Sequence, residues 1–130
     1  MATGIQNLKV YQLSSELEIK VYSLTKDFPD DEKYRSVDQL RRSSSSVTNN
    51  IAEAYNRSSI KEKVRILNDI VKGEANETRS NLEMCLKKNF HKNTAVIERY
   101  TELLKALSGY ISFLRNQEKL KNLSTSKLTN

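Results

Sequence analysis

Apolar residues recur at steps of three and four through four stretches of this chain. Val10, Leu13, Leu17, Val21 and Leu24 make the first stripe, with the period of an amphipathic α-helix rather than a strand. The stripe predicts a helix from about Asn7 to Lys26, flanked by Tyr11 and Tyr22. Phe28-Pro29 stops it, because the residue before a proline is pushed out of the helical region. The second stripe is Tyr34, Val37, Leu40, Ser44, Val47, Ile51 and Ala54 or Tyr55. Its helix is expected to start near Asp30 or Asp31, where Asp30, Asp31 and Glu32 suit the positive end of the helix dipole. Four serines, Ser43 to Ser46, fall in its middle. Serine is not a strong helix former, so its use here is expected to be its size, which lets two backbones approach.

Ser59-x-x-Glu62 matches a capping box and opens a third helix, expected from about Ile60 to Asn89. Its stripe is Ile60, Val64, Leu67, Val71, Ala75, Thr78, Leu82 and Cys85 or Leu86. Gly73 inside a helix costs about 1 kcal/mol against alanine, and a close helix crossing there would explain it. After a connection at Phe90 to Asn93, Asn93 or Thr94 caps a fourth helix reaching about Lys119. Its stripe is Val96 or Ile97, Tyr100, Leu103 or Leu104, Leu107, Tyr110 or Ile111, and Leu114. Gln117 to Asn130 is polar and basic and is expected to be disordered. Four long helices with short connections predict an all-α fold. The expected architecture is an antiparallel up-down-up-down four-helix bundle over residues 1–116, followed by a tail over 117–130.

One Pro and three Gly leave few turn formers for a β fold. Cys85 is the only cysteine, so no internal disulfide can form, which fits a reducing compartment. The start of the chain does not read as a signal peptide, and no stretch approaches the roughly 18 apolar residues of a membrane span. A cytoplasmic protein away from membranes is expected.

Catalytic chemistry finds little support. His91, the only histidine, falls in a loop beside Lys87, Lys88 and Lys92 and reads as a surface residue. Cys85 lies on a core stripe and reads as a small hydrophobe. One Cys and one His do not make a zinc site. Glu74 and Glu77 lack the Glu-x-x-His partner of a di-iron bundle, and the Ser-x-x-Lys strings at Ser23/Lys26 and Ser58/Lys61 are short enough to arise by chance. Neither enzymatic activity nor a cofactor or metal is expected. Gln39, Arg42, Asn50, Glu53 and Glu77 lie beside the stripes of the second and third helices and are expected to form a polar network that fixes helix register.

The net charge is +6, from 22 basic and 16 acidic residues. That balance permits attraction to polyanions. The candidate phosphate-binding residues are Arg41, Arg42, Lys61, Lys63, Arg65, Lys87 and Lys88, some of which folding could gather into one patch. Tyr11, Tyr22, Tyr55 and Tyr100 are the candidates for stacking on bases. No base-reading motif occurs, so any nucleic-acid binding should be weakly sequence-specific.

Phe28-Pro29, Glu32, Tyr34, Gln39-Leu40-Arg41-Arg42, Ser46, Asn50-Ile51-Ala52-Glu53, Arg57, Gly73 and Glu77, with Leu8-x-Val10-Tyr11-x-Leu13 before them, carry a resemblance. Over residues 6 to 115 the chain resembles the bacterial four-helix bundle proteins first noticed as reading frames inside intervening sequences of 23S rRNA genes. It departs from them at Ala54, where glycine is usual, and at Ser43 to Thr48-Asn49, where alanines and a proline are common. The resemblance implies a bundle that assembles as a ring-like homopentamer. It also implies kinship with the accessory variability proteins of diversity-generating retroelements, which are basic, pentameric and bind a reverse transcriptase and nucleic acid. The leading expectation is therefore a non-enzymatic homo-oligomer that binds RNA or DNA through a basic surface. The alternative is a protein-interaction scaffold without nucleic acid.

Overall fold

The computed structural model describes the backbone of residues 4–129 and the side chains of residues 4–125. Met1 to Thr3 of the expected bundle domain and Asn130 of the expected tail lie outside the described residues. Every regular element among those described is helical. A 3-10 turn at Ile5–Asn7 leads into α1, Lys9–Thr25. After Pro29 a 3-10 turn, Asp30–Glu32, runs through a π-helical segment, Lys33–Val37, into α2, Asp38–Asn56. Then α3, Ile60–Ile66, a π-helical segment, Leu67–Val71, and α4, Lys72–Lys87, follow one another without a break. The last helix is α5, Thr94–Thr129. The described residues thus form four helical rods.

Neither π-helical segment was legible in the stripes, but a cause for the second, Leu67–Val71, was present there. Leu67, Val71 and Ala75 follow one another at steps of four. A 3.6-residue turn drifts against such a run, and a wider turn absorbs the drift. As a result Leu67, Val71 and Ala75 are all fully buried.

The four stripes face one another. α1 packs on α2 and α5, and α4 packs on the same two helices, so the rods enclose a single core. Val21, Leu40, Ile51, Leu82, Leu103 and Leu107 are all fully enclosed. Each such aliphatic side chain contributes on the order of 1.5–3 kcal/mol relative to exposure. Cys85 is buried, as its place on the stripe predicts, and burial pushes its thiol up. Tyr100 is also enclosed, with its hydroxyl unpartnered among the described residues.

Small residues do allow a close approach, but not at Gly73. Ser43, Ser44 and Thr48 of α2 are buried, and so is Thr78 of α4. The Thr78 and Ser43 hydroxyls share a hydrogen bond of 2.7 Å across the two rods. Gly73 is exposed, and a Cβ there would meet nothing within 4 Å. Its neighbours therefore do not require a glycine.

Helix ends are closed by local chemistry. The Ser59 hydroxyl accepts from Glu62 N–H, while Glu62 turns to Arg65, so the expected capping box is half-formed. Asn93 Oδ1 accepts from Val96 N–H and caps α5. At the end of α4, Asn89 takes a left-handed φ of 66°. Asn89 N–H then reaches Leu86 O at 3.0 Å and Phe90 N–H reaches Cys85 O at 2.9 Å, a Schellman motif.

That reversal turns the following loop inward and corrects the expectation for His91. The imidazole is buried, not on the surface. Its Nδ1 accepts from Asn93 N–H at 3.0 Å, so the proton sits on Nε2, which donates to Leu82 O at 2.8 Å. The ring stacks on Phe28 at 6.1 Å, and Phe28 also meets Phe90 at 5.5 Å. His91 thus ties the α4–α5 connection to the α1–α2 connection.

The expected disorder after Gln117 gives way to helix through Thr129. This segment contains neither Gly nor Pro, and its Gln, Glu, Lys and Leu residues extend a helix already nucleated. Leu114 is the last buried residue of the described chain, and Leu120 and Leu123 are exposed.

Two stability measurements follow. Gly73→Ala is expected to stabilise the fold by about 1 kcal/mol, since it gains helix propensity and meets no neighbour; a thermal melt checks it, and a loss of stability would show that the glycine is needed. His91→Ala is expected to cost about 2–3 kcal/mol through two lost hydrogen bonds and lost ring packing. Chemical denaturation should separate that cost from the roughly 0.5 kcal/mol of a surface substitution.

Candidate nucleic-acid interface

The seven candidate cations have three different fates. Arg41 and Lys63 close helix C-termini, where orphan carbonyls and the negative end of the dipole attract a cation. Arg41 Nε donates to Thr25 Oγ1 at 2.9 Å and Nη2 to Tyr22 O at 3.3 Å, at the end of α1. Lys63 Nζ donates to Tyr55 O at 2.6 Å and Ala54 O at 3.4 Å, at the end of α2. Each cation also lies over a tyrosine ring, Arg41 at 4.3 Å from Tyr22 and Lys63 at 5.4 Å from Tyr55. In both cases the next rod supplies the cation that closes the one before it.

Arg42 and Arg65 are held in exposed ion pairs one turn away on their own helices. Arg42 meets Asp38 at 3.1 Å. Arg65 grips both Glu62 oxygens at 3.1 and 3.2 Å, and that contact holds the Glu62 carboxyl below its usual range. Lys61, Lys87 and Lys88 are exposed and make no ion pair among the described residues, although Lys88 lies 6.0 Å from the Phe90 ring. Lys61 and Lys87 stand on one rod, twenty-six residues and so roughly 40 Å apart. The seven therefore do not form one patch.

The aromatic candidates change as well. Tyr100 is enclosed in the core, Tyr22 and Tyr55 carry the capping cations, and Tyr11 is half-buried against the core. None presents a free ring of the kind a base would stack on.

The expected polar network is an open furrow rather than a buried lattice. Gln39, Arg42, Asn50 and Glu77 line a space of about 800 Å³ between α2 and α4, together with Ser45, Ser46, Asn49 and Glu74. Gln39, Arg42, Glu53 and Glu77 are exposed and Asn50 is half-buried. Asn50 Nδ2 donates back to Ser46 O and Oγ at 2.9 and 3.1 Å, and Glu53 pairs with Arg57 at 2.7 Å. These bonds stay within the α2 segment, so the link between the two rods is Ser43–Thr78 instead. Burial, and then the Glu77 carboxylate, push Glu74 up.

The unbalanced charge lies on the other half of the chain. Up to residue 59 the chain has eight Lys and Arg against eight Asp and Glu; from residue 60 onward it has fourteen against eight. The whole net charge of +6 therefore lies on the α3–α4 rod, α5 and the connection between them, and these rods pack on each other. Between them lies a furrow of about 430 Å³ lined by Lys72, Asn76, Arg79, Thr101, Leu104, Lys105 and Ser108. Its lining has three cations and no carboxylate. Arg79 spans it, with Nη1 donating to Thr101 Oγ1 at 3.2 Å and Nη2 to Asn76 Oδ1 at 3.3 Å. Lys72, Arg79 and Lys105 are missed by a search for basic residues adjacent in sequence. A charge tally rod by rod would have pointed to their side of the molecule.

Among the described residues no helix is long and apolar enough to cross a membrane. The chain matches the 23S rRNA-intervening sequence protein family over residues 6–111 and belongs to that family. It is similar to a solved structure of a protein of unknown function from the S23 ribosomal protein family of Bacteroides thetaiotaomicron. The two share 28% identity and a TM-score of 0.71, over 78% of this chain and 97% of that one. No match was found among curated proteins.

The caps are open to direct test. Arg41→Ala and Lys63→Ala are each expected to cost about 1 kcal/mol or somewhat more. Lys61→Ala is expected to stay within about 0.5 kcal/mol of the parent. Urea midpoints of the three variants check this, and equal effects would show that the caps carry no special stability.

Proposed function

We propose that this member of the 23S rRNA-intervening sequence protein family is a non-enzymatic, up-down-up-down helical bundle that self-associates and binds RNA or DNA through phosphates. The observation that carries the reading is the one-sided charge: the α1 and α2 part of the chain is neutral and the α3–α5 part holds all of +6. Such a field attracts a polyanion to one side of the molecule, and binding releases counterions from the phosphates. With Tyr11, Tyr22, Tyr55 and Tyr100 engaged by the core or by capping cations, contacts run to the backbone and base discrimination is weak. The protein acts in the cytoplasm as an accessory factor, and a reverse transcriptase is one class of protein partner that its family kinship favours.

The test is a titration of labelled RNA over a salt series. Affinity is expected to fall at least tenfold between about 50 and about 200 mM salt. A flat response, or no binding at the lowest salt, would sink the proposal. A second reading, a scaffold without nucleic acid, is favoured by exposed Ile19, Tyr34 and Phe113, which a protein partner could cover. An oligomeric mass in solution together with no RNA retention would select it.

A further inference from the structure

We infer that the furrow between α4 and α5 is a binding site for the phosphate backbone of a single nucleic-acid strand, with Lys72, Arg79 and Lys105 as its cations. This rests on the nucleic-acid reading above and goes on to say where the strand lies and what form it takes.

The furrows of the bundle differ in charge. The α2–α4 furrow sets Arg41 and Arg42 beside Glu74 and Glu77, and the α1–α5 furrow mixes Lys9, Arg99 and Lys105 with Glu16 and Glu102, so Lys105 stands between that furrow and the α4–α5 one. A polyanion entering either meets carboxylates. The α4–α5 furrow has none in its lining. Among the described residues its cations make one ion pair, Arg79 Nε to Glu83 at 4.0 Å, and Glu83 is half-exposed to water.

Arg79 is held in place before any ligand arrives. Thr101 and Asn76 each take one N–H of the Arg79 fork. The second N–H on each Nη is not used by these two bonds. A guanidinium already held in place loses little freedom when it meets a phosphate, and its fork matches two phosphate oxygens.

The furrow's cations are spaced along a line. Lys72 and Arg79 are seven residues apart on α4, roughly 10 Å along the helix, and Lys105 faces the furrow from α5. A flexible single strand can track a cation-lined furrow with its phosphates, whereas a duplex, stiff over about 150 base pairs, conforms to it less well. Leu104 is the one apolar residue of the lining and no aromatic reaches it, so the bases point outward unread.

The experiment measures fluorescence anisotropy of labelled oligouridylate and oligoadenylate, each of about twelve nucleotides, and of the corresponding duplex RNA, with the full chain. The Lys72→Glu/Lys105→Glu variant is compared with Lys20→Glu/Lys33→Glu, which changes the charge equally on the neutral α1–α2 side, at exposed residues. Both single strands are expected to bind the parent alike, and more tightly than the duplex. The furrow variant is expected to lose at least tenfold in affinity. Its slope of log affinity against log salt should become shallower by about 1.4, as for two lost phosphate contacts at about 0.7 each. The control variant is expected to stay within about threefold, and circular dichroism melts should match the parent for both. Equal losses in the two variants, no loss in the furrow variant, a clear base preference or a preference for duplex would each overturn the furrow site while leaving nucleic-acid binding standing. Absence of RNA binding by the parent would overturn both. If phosphatidylserine vesicles rather than RNA respond to the furrow variant, the site is a lipid-headgroup site and the proposal fails.

Discussion

The close contact between α2 and α4 at Ser43 and Thr78 is the constraint on which the rest of the structure depends. Two small hydroxyl side chains meet at 2.7 Å in the core, where bulky residues would hold the rods apart. The apolar stripes on either side, Leu40 and Val47 on α2 and Ala75 and Leu82 on α4, are thereby enclosed. The bond also sets register, because a buried hydroxyl without its partner costs about 1–3 kcal/mol. A helix carrying four consecutive serines thus contributes to the fold through size and hydrogen bonding rather than through propensity.

Enclosing long rods leaves their ends as the places where backbone groups lack partners. The chain meets this with local caps at Ser59, Asn89 and Asn93 and with cations sent from the following rod, Arg41 and Lys63. This arrangement bears on function. Two of the seven cations that look available to phosphate are bound to carbonyls, and two more are matched by carboxylates on their own helix. The charge left unbalanced moves to the α3–α5 side, where Arg79 lies across a furrow without acids. Stability and recognition draw on the same residue types, and position in the fold decides which use each one has.

Several residues show why some of this was legible and some was not. The stripes, the stop at Phe28-Pro29 and the caps at Ser59 and Asn93 rest on chemistry within a few residues, so spacing alone reveals them. His91 was misread because its neighbours in sequence are lysines, while its neighbours in space are Phe28 and the Leu82 carbonyl. Gly73 was credited with a crossing that lies five residues further on, at Thr78. The polar set Gln39, Arg42, Asn50, Glu53 and Glu77 was placed by face correctly enough to line a furrow in four cases of five. Its depth, however, depends on how closely the rods approach, which no single helix records.

By itself the sequence determined that the chain is helical, where three of the rods begin, which faces turn inward and that the molecule is basic, because helical period and charge are properties of each segment alone. Only the tertiary structure decided which cations are bound up in caps, that His91 is interior, and that Lys72, Arg79 and Lys105 share one furrow. Those outcomes require residues on different rods to meet, and the packing of side chains across the core sets those meetings.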